Sequence, residues 1–227
     1  MPSTFYEIRL FSECGLRYPR ASESPFDDRC PRCLGATVQV LTRPLSMEKQ
    51  SASKAERGKE PSPLRVEAIL DNIRSDWNVG AIFRTADAIG VKKLYLCGIT
   101  PTPDNPRLNK TALGAEAWVP WEYSLNSVIV ARTLKTSGAF LLALEQDERA
   151  VDLSSCLSLI DIGKHGPSNQ TRTLILIVGN EITGVDPGLL ELADTVLDIR
   201  MLGKKRSLNV AVAFGIAVYQ LPLLFDN

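Results

Sequence analysis

The sequence predicts an α/β domain built on a mostly parallel sheet flanked by helices, preceded by a small N-terminal module. A strand, a helix and a second strand follow one another at residues 66–70, 79–89 and 93–97, which is the order of a βαβ unit. The continuous apolar run at residues 173–178 is typical of a central strand that is buried on both faces. Cysteine-containing turns before residue 45 indicate the separate module.

The composition allows one sizeable core and argues against binding by bulk charge. The chain has 227 residues, of which 44% are hydrophobic, enough for one core of about 150 residues with a small appendage. Its 26 basic and 26 acidic residues cancel, so nucleic acid would have to be held by local basic patches. An apolar run of about 18 residues is missing, and the N-terminus lacks a signal-peptide pattern. We therefore expect a cytoplasmic protein without a membrane partner.

Residues 1–45 predict a degenerate zinc-ribbon-like module. Cys30 and Cys33 form a CxxC turn, which can direct two thiolates at one tetrahedral ion. Cys14 resembles half of a second such turn, but Phe11 stands where its partner cysteine is required. The three cysteines could bind zinc together with an outside ligand, or the module could have lost its metal. Both alternatives remain open from the sequence.

A flexible linker at residues 46–63 is predicted to join this module to the main domain at residues 64–227. The linker has almost no apolar residues and ends in two prolines, a composition that cannot form a core. The single histidine, His165, lies in a polar loop and is interpreted as exposed. Mechanisms that need a well-placed imidazole are therefore disfavoured.

The first half of the domain contains two candidate site residues. Asn78 can cap the helix at residues 79–89, and Arg84 lies on that helix, where arginines are usually solvated or paired with a neighbour. Residues 100–110 are predicted to form a proline-rich loop, in which Lys110 could contact phosphate or face water. A short strand, a helix, a strand and a peripheral strand or turn are then predicted at residues 119–121, 124–134, 140–144 and 151–162.

The apolar strand at residues 173–178 ends in a glycine-containing turn at residues 179–185. Glycines at this spacing let a ligand approach the backbone. The spacing is similar to that of a phosphate loop, but Val185 and Asp186 stand where Lys and Ser or Thr are required, which excludes a Walker motif. The chain has no GxGxxG sequence, which argues against a Rossmann dinucleotide site. Asp186 and Pro187 can open the next helix.

A second strand-to-helix turn follows the strand predicted at residues 195–199. It contains three basic residues, and Ser207 is predicted to be the N-cap of a helix that is apolar nearly all round and therefore buried on several sides. Unpaired N–H groups at a helix start, beside the carboxyl end of a strand, favour a small polar ligand. From this stretch alone, Ser207 and Asn209 could either cap the helix or serve a site.

Three stretches, at residues 78–88, 177–185 and 201–213, closely resemble in order and spacing the three motifs of the SpoU/TrmH branch of the SPOUT methyltransferases. The resemblance covers about residues 64–227. It implies transfer of a methyl group from S-adenosylmethionine to a ribose 2′-hydroxyl of tRNA or rRNA. It also implies a homodimer and a C-terminal trefoil knot, one of the rare exceptions to the rule that chains do not thread loops.

Carried over position by position, the resemblance implies two sets of site residues, and basic residues of the sequence add a third. The catalytic set comprises Asn78, Arg84, Glu181, Ser207 and Asn209. The S-adenosylmethionine pocket would be lined by Gly179, Gly184, Ile199, Met201 and Leu208. The basic residues that would contact RNA phosphates, or else remain solvated, are Lys204, Lys205, Arg206 and Lys110.

Arg84 is the candidate for acting on the ribose hydroxyl. Because a ribose hydroxyl is a very weak acid and arginine is ordinarily too weak a base, the expected role of Arg84 is to stabilise the developing alkoxide. Glu181 and Asn209 would orient Arg84 and the ribose, and the N-terminal module would help to select the RNA. The alternative function is a non-catalytic RNA-binding or assembly protein that keeps the knotted fold.

Overall fold

The computed structural model describes residues 5–21, 28–44, 64–155 and 172–223. The chain divides into two compact units, residues 1–60 and 61–227. The predicted linker at residues 46–63, His165 and the end of the peripheral segment predicted at 151–162 lie outside the described residues. Within the described part, no helix combines the length and the apolar character needed to cross a bilayer.

The first unit contains an antiparallel sheet of three strands in the order β2-β1-β3: β1 Phe5–Leu10, β2 Arg17–Ala21 and β3 Val38–Pro44. Its interior is held largely by a buried arginine. Arg9 is 7% exposed; its guanidinium donates to Thr37 Oγ1 at 2.8 Å and to the Thr37 carbonyl at 2.9 Å, and it pairs with Glu7 at 2.7 Å. Phe11 and Cys30 are the buried apolar side chains among the described residues of this unit. Its hydrophobic core is therefore very small.

The second unit is built on a seven-stranded sheet in the order β6-β5-β4-β9-β7-β10-β8, and every strand pair in it is parallel. The strands are β4 Leu64–Asp71, β5 Leu94–Cys97, β6 Trp121–Ser124, β7 Phe140–Leu144, β8 Val151–Asp152, β9 Arg172–Val178 and β10 Thr195–Asp198. The helices are α1 Asp76–Ile89, α2 Pro106–Ala112, α3 Ser127–Thr136, α4 Pro187–Leu192 and α5 Val210–Leu223. This arrangement confirms the predicted parallel sheet flanked by helices.

Strand β9 is apolar at successive positions because both of its faces are buried. Leu174, Leu176 and Val178 belong to one buried cluster, which includes side chains of α1, α2 and α5. Ile175 and Ile177 belong to a second cluster on the opposite face, which includes side chains of α3 and α4. Because successive strand side chains point to opposite faces, the part of β9 that is covered on both sides, residues 174–178, is apolar at every position.

The carboxyl ends of four adjacent strands lie level with one another. Leu70 of β4 pairs with Val178 of β9, Val178 with Leu144 of β7, and Leu144 with Leu197 of β10. The loops that follow these four strands therefore leave the sheet at one edge. The direction of strand order reverses between β4 and β9, and such a reversal is where open α/β sheets form their binding crevice.

Three predicted segments differ from the observed elements. The predicted proline-rich loop contains helix α2, because the side chain of Asn105 caps it by accepting from Arg107 N at 3.0 Å and Pro106 occupies its first position. The helix predicted at 124–134 begins later, at Ser127, because Asn126 is its N-cap and accepts from Ile129 N at 3.1 Å. The strand predicted at 119–121 is correspondingly displaced to β6.

Candidate active site

A pocket of about 330 Å³ opens at the carboxyl edge of the sheet. Its walls come from the ends of β7, β9 and β10, from the turn after β9, and from the loop that leads into α5. Apolar side chains such as Leu144, Val178 and Val210 line it together with the polar groups of Glu145 and Asp198. Mixed lining and this volume are typical of a small-molecule site.

The turn after β9 is held in shape by its own backbone and by Asn180. Asn180 and Gly184 exchange two backbone hydrogen bonds of 3.0 and 2.9 Å. The side-chain oxygen of Asn180 accepts from Ile182 N at 2.9 Å and from Thr183 N at 3.2 Å. A Cβ at Gly179 would overlap Gly184, so glycine is required where the turn closes. The amide of Asn180 also donates to the Asn72 carbonyl at 2.7 Å, which ties this turn to the one after β4.

Glu145 fixes the far side of the same turn. One carboxylate oxygen accepts from Val185 N at 2.9 Å and the other from Gln146 N at 2.9 Å. Gly184 has a φ of 73°, and a Cβ at Gly184 would come within 2.9 Å of the carboxylate carbon of Glu145. A side chain at position 184 would therefore displace this carboxylate from the turn.

Glu181 joins the turn after β9 to the start of α1. Its carboxylate accepts from Arg74 N at 2.9 Å, from Ser75 N at 3.2 Å and from Asn78 Nδ2 at 2.8 Å. Burial by itself would raise the pKa of Glu181, but these hydrogen bonds outweigh burial and hold the pKa below the usual value. Glu181 is therefore an ionised acceptor at neutral pH, suited to orienting donors rather than to carrying a proton.

Asn78 is bound to two other predicted site residues. It donates to Glu181, and its side-chain oxygen accepts from Asn209 Nδ2 at 2.9 Å. The prediction that Asn78 caps α1 is wrong: Ser75 is the N-cap, and its hydroxyl accepts from Asn78 N at 3.4 Å. With Ser75 as the cap, the side chain of Asn78 is available for contacts with other elements.

The N-terminus of α5 is also placed differently from the prediction. The helix begins at Val210, and the side-chain oxygen of Asn209 accepts from Ala211 N at 2.9 Å, so Asn209 is the cap and Ser207 is not. The side chain of Asn209 thus makes two kinds of contact, because its oxygen caps α5 while its NH₂ group donates to Asn78. Ser207 lies in the preceding loop and lines the pocket.

The structure brings most of the predicted site residues together. All five positions predicted to contact the cofactor line the pocket: Gly179, Gly184, Ile199, Met201 and Leu208. Three of the five predicted catalytic residues also line it: Glu181, Ser207 and Asn209. Asn78 lies one hydrogen bond from two of these three.

Arg84, like Asn78, does not line the pocket, and it has no hydrogen bond to a residue that does. It is exposed on α1, six residues beyond Asn78, which corresponds to about 9 Å along the helix axis and about a third of a turn around it. Within the described part of the chain its side chain has neither a hydrogen bond nor an ion pair, so the suggested pairing with a neighbouring acid is not observed.

The predicted RNA-contacting residues are exposed at two places. Lys204, Lys205 and Arg206 lie in the loop between β10 and α5, directly before pocket residue Ser207. The Arg206 carbonyl accepts a hydrogen bond from the side chain of Gln146, which fixes the end of this basic segment beside the pocket. Lys110 lies on α2 and does not line the pocket.

The three predicted metal ligands of the first unit are adjacent in space. Cys14 Sγ lies 3.6 Å from Cys30 Sγ and 3.5 Å from Cys33 Sγ. Within the described residues, these cysteines form the one group of three or more thiol, imidazole or carboxylate side chains close enough to share an ion.

Comparison with known proteins identifies the family. A sequence model of the SpoU rRNA Methylase family matches residues 65–219, more than half of the chain. The chain belongs to the SpoU rRNA Methylase family. The matched residues include every strand and helix of the second unit up to most of α5.

Individual curated proteins match about two thirds of the chain. The tRNA (guanosine(18)-2'-O)-methyltransferase of Aquifex aeolicus is 32% identical over 151 residues, 66% of this chain and 65% of the relative. The 23S rRNA (guanosine(2553)-2'-O)-methyltransferase of Bacillus subtilis is 32% identical over 153 residues, 67% of this chain and 56% of the relative. The chain thus spans less than two thirds of the length of each of these relatives.

Two solved structures of RNA-modifying enzymes share the fold. An AdoMet-bound rRNA methyltransferase from Sinorhizobium meliloti aligns with a TM-score of 0.59 at 26% identity, covering 69% of this chain and 55% of the other. A TrmH/SpoU tRNA modifying enzyme from Aquifex aeolicus aligns with a TM-score of 0.59 at 30% identity, covering 74% and 78%.

Several pocket residues lie outside the three SpoU motifs of the sequence. Glu145 and Gln146 follow directly after the predicted strand at 140–144, and Asp198 is the last residue of β10. The rule that ligands bind beyond the carboxyl ends of parallel strands could have identified all three. Asn180 lies inside the second motif, but its role in shaping the turn depends on backbone contacts that the sequence does not display.

Proposed function

We propose that the protein transfers a methyl group from S-adenosylmethionine to a ribose 2′-hydroxyl of tRNA or rRNA. The observation that carries this proposal is the hydrogen-bonded chain from Glu181 through Asn78 to Asn209 at the edge of the pocket. The names of the Aquifex and Bacillus relatives, which describe 2′-O-methyltransferases of tRNA and rRNA, support the same reaction.

The pocket fits S-adenosylmethionine, a cofactor that supplies an electrophilic methyl group on a sulfonium ion. Ile199, Met201 and Leu208 would pack against its flat apolar parts, and the backbone at Gly179 and Gly184 would allow close approach. The pocket is also lined by carboxylates, which favour a bound cation. The AdoMet-bound Sinorhizobium structure supports this choice of cofactor.

The residues around the pocket would position the ribose and stabilise negative charge on its oxygen. Glu181 remains ionised and accepts three donors, so it fixes Asn78 and the start of α1 rather than removing a proton. Asn209 orients Asn78 from the other side. The guanidinium of Arg84 would stabilise the alkoxide that forms as the hydroxyl proton leaves, and Ser207 would contact the substrate or cofactor from the α5 side.

A homodimer is part of the proposal, because Arg84 does not line the pocket of its own chain. Helices α1 and α5 pack against each other, and a Cβ added at Gly215 of α5 would be in van der Waals contact with the Thr85 side chain, at 3.7 Å. Both helices carry exposed apolar side chains. Val212 is 50% exposed and Tyr219 is 60% exposed. Burial of this surface between two copies would cover these side chains and present Arg84 to the partner's pocket.

Subunit mixing tests this arrangement. Heterodimers of Arg84→Ala and Glu181→Ala subunits, purified by two different tags, should regain methyl transfer, because one pocket then has Glu181 from its own chain and Arg84 from the partner. Each homodimeric variant should be inactive. If Arg84 acted on the pocket of its own chain, the heterodimer would contain no complete site and would stay inactive.

RNA would be bound by a local basic surface, because the whole chain is neutral. Lys204, Lys205 and Arg206 lie beside the pocket and would contact phosphates near the target ribose. Lys110 on α2 would add a more distant phosphate contact.

The proposed organisation has three parts. A zinc-ribbon-like module at residues 1–45 would help to select the RNA, with zinc held by Cys14, Cys30 and Cys33. A linker at 46–63 would join it to a SPOUT methyltransferase domain at 64–227 whose C-terminal segment forms a trefoil knot. The free thiols of the described cysteines fit a reducing compartment, so we place the protein in the cytoplasm.

Transfer of tritium from labelled S-adenosylmethionine to RNA tests the reaction. Wild-type protein should label tRNA or rRNA from cells that lack the protein, and Arg84→Ala should reduce labelling by about 100-fold or more, as for the loss of one donor to a developing oxyanion. Arg132→Ala on α3, an exposed arginine on the opposite face of the sheet, is the control and should retain activity. Absence of label with wild type, or undiminished label with Arg84→Ala, contradicts the proposal.

The alternative function, a non-catalytic RNA-binding or assembly protein, makes a different prediction. Such a protein would bind RNA but show no calorimetric binding of S-adenosylmethionine. The close contacts among Glu181, Asn78 and Asn209 favour the catalytic proposal, because a protein that only binds RNA does not need three polar side chains joined beside a pocket.

A further inference from the structure

The first of two turns in the N-terminal unit lies at residues 11–16 and has a defined backbone pattern. Phe11 N donates to the Leu16 carbonyl at 3.0 Å, and Gly15 N donates to the Phe11 carbonyl at 2.9 Å. Gly15 has a φ of 71°. Cys14, the fourth residue of the turn, directs its sulfur towards the other two thiols of the cluster.

The second turn, at residues 30–35, repeats this pattern position by position. Cys30 N donates to the Gly35 carbonyl at 2.8 Å, and Leu34 N donates to the Cys30 carbonyl at 2.8 Å. Leu34 has a φ of 63°, although leucine rarely adopts this conformation. The equivalence pairs Cys33 with the cysteine of the first turn, and Cys30 with Phe11.

The sulfur positions suit one tetrahedral ion. Zn–S bonds of about 2.3 Å at tetrahedral angles hold two sulfur atoms about 3.8 Å apart. The observed separations from Cys14 Sγ are 3.6 Å to Cys30 Sγ and 3.5 Å to Cys33 Sγ, and all three sulfur atoms lie within 4.8 Å of one another. These separations are much longer than a disulfide bond of about 2.0 Å.

Phe11 stands in the first turn at the position that Cys30 has in the second, where a fourth thiolate would complete a two-turn site. It is 8% exposed, and its ring lies so close to Gly35 that a Cβ there would come within 2.6 Å of a ring carbon. Within the described residues, no fourth thiol, imidazole or carboxylate joins the three cysteines. Cys33 is exposed, so solvent can reach the cluster from its side.

The unit also needs a cross-link of some kind. Its described apolar interior consists of Phe11 and Cys30, and its remaining buried side chains are those of Arg9 and Thr37. A domain of this size with so little apolar burial usually depends on a metal or on disulfides. Its described cysteines are free thiols, which leaves the metal.

We propose that Cys14, Cys30 and Cys33 bind one zinc ion through three thiolates, and that Phe11 has replaced the fourth ligand of a two-turn site, leaving one exchangeable coordination position for solvent. This inference deepens the metal assignment of the proposed function and does not depend on methyl transfer. Because its ligands come from both turns, the zinc ion links the two turns and thereby stabilises the three-stranded sheet.

The substitution Phe11→Cys tests the position of the missing ligand. In the full-length protein, wild type should retain one zinc per chain after dialysis, and Cys33→Ser should lose it. Phe11→Cys should bind zinc roughly tenfold or more tightly in competition with a chelator, because a thiolate replaces a neutral solvent ligand. Cys97→Ala, at a buried thiol of the second unit, is the control and should match wild type.

Cobalt substitution supplies a second measurement on the same four proteins. Wild type should show tetrahedral visible bands with thiolate charge transfer, and Phe11→Cys should shift them towards a four-thiolate spectrum. The proposal is overturned if wild type binds neither Zn²⁺ nor Co²⁺, if Cys33→Ser binds them equally well, if Phe11→Cys gains no affinity, or if mass spectrometry finds a metal-free disulfide between Cys14 and Cys33. Loss of methyl transfer with metal content unchanged would instead count against the proposed reaction alone.

Discussion

Asn209 and Asn78 are 131 residues apart in sequence and joined by one hydrogen bond: Asn209 Nδ2 donates to Asn78 Oδ1 at 2.9 Å. This contact connects the start of α5 to the first turn of α1. Because Asn78 also donates to Glu181, the loops after β4, β9 and β10 are linked through side chains at the carboxyl edge of the sheet. The proposed site depends on this linkage.

Asn209 should therefore affect both stability and activity. Asn209→Ala removes the cap of α5 and should lower the free energy of unfolding by about 1 kcal/mol. Asn209→Asp keeps an oxygen that can accept from Ala211 N, so it should retain most of the stability, but it cannot donate to Asn78 and should lose methyl transfer. Urea denaturation and the methyl-transfer rate measure the two effects. Equal stability of Asn209→Ala and wild type would show that the side chain does not cap the helix.

Gly184 should be required for cofactor binding. Gly184→Ala places a Cβ against the Glu145 carboxylate in a backbone conformation with a φ of 73°, which should release Glu145 from Val185 N. We expect S-adenosylmethionine affinity measured by calorimetry to fall by roughly tenfold or more, about 1.4 kcal/mol. Gly203→Ala is the matched control, because a Cβ there meets no atom within 4 Å. Equal losses in both variants would argue against a specific role for the Glu145 contact.

Several features were predictable because they depend on local sequence. Strand β9 was identifiable because both of its faces are buried, and Asp186 was identifiable as the cap of α4 because proline follows it. The cap of α5 was not, because Ser207 and Asn209 are both suitable by sequence. In the structure Asn209 accepts from Ala211 N, and the contact of its NH₂ group with Asn78 ties the side chain to α1. Such choices are decided by tertiary contacts.

Glu145 shows the second limit of sequence reasoning. Its partner, Val185 N, is 40 residues away, so no local spacing indicates the contact. Arg84 shows the third, because the sequence places it on the correct helix without revealing that it lies outside its own chain's pocket. The distances between such elements can be read only from the folded arrangement.

The lowered pKa of Glu181 predicts a specific dependence of stability on pH. Its folded-state pKa lies below the usual 4.5, so folding is favoured by its ionised form above that pH, and this contribution is lost as pH falls through the folded pKa. The melting temperature of wild type should therefore fall more steeply below pH 4.5 than that of Glu181→Gln. If the melting temperatures of the two proteins fell by the same amount between neutral and acidic pH, the hydrogen bonds to this carboxylate would not stabilise the fold.

The basic loop should contribute to RNA affinity without contributing to cofactor affinity. Replacing Lys204, Lys205 and Arg206 by alanine should weaken RNA binding and reduce the slope of log K against log salt by roughly 0.7–0.9 for each phosphate that is no longer neutralised. Calorimetric binding of S-adenosylmethionine should not change. Lys92→Ala, at an exposed position before β5 at the opposite edge of the sheet, is the control. An unchanged salt slope in the triple variant would place the RNA elsewhere.

The most direct test of the central claim is the chemical identity of the methylated product. RNA methylated by the purified protein with S-adenosylmethionine can be digested to nucleosides, which are separated by chromatography and identified by mass spectrometry. The account predicts a 2′-O-methylnucleoside, with the added mass on the ribose fragment, and its loss in Arg84→Ala. A methyl group on the base fragment, or no methylated nucleoside with wild-type protein, would contradict it.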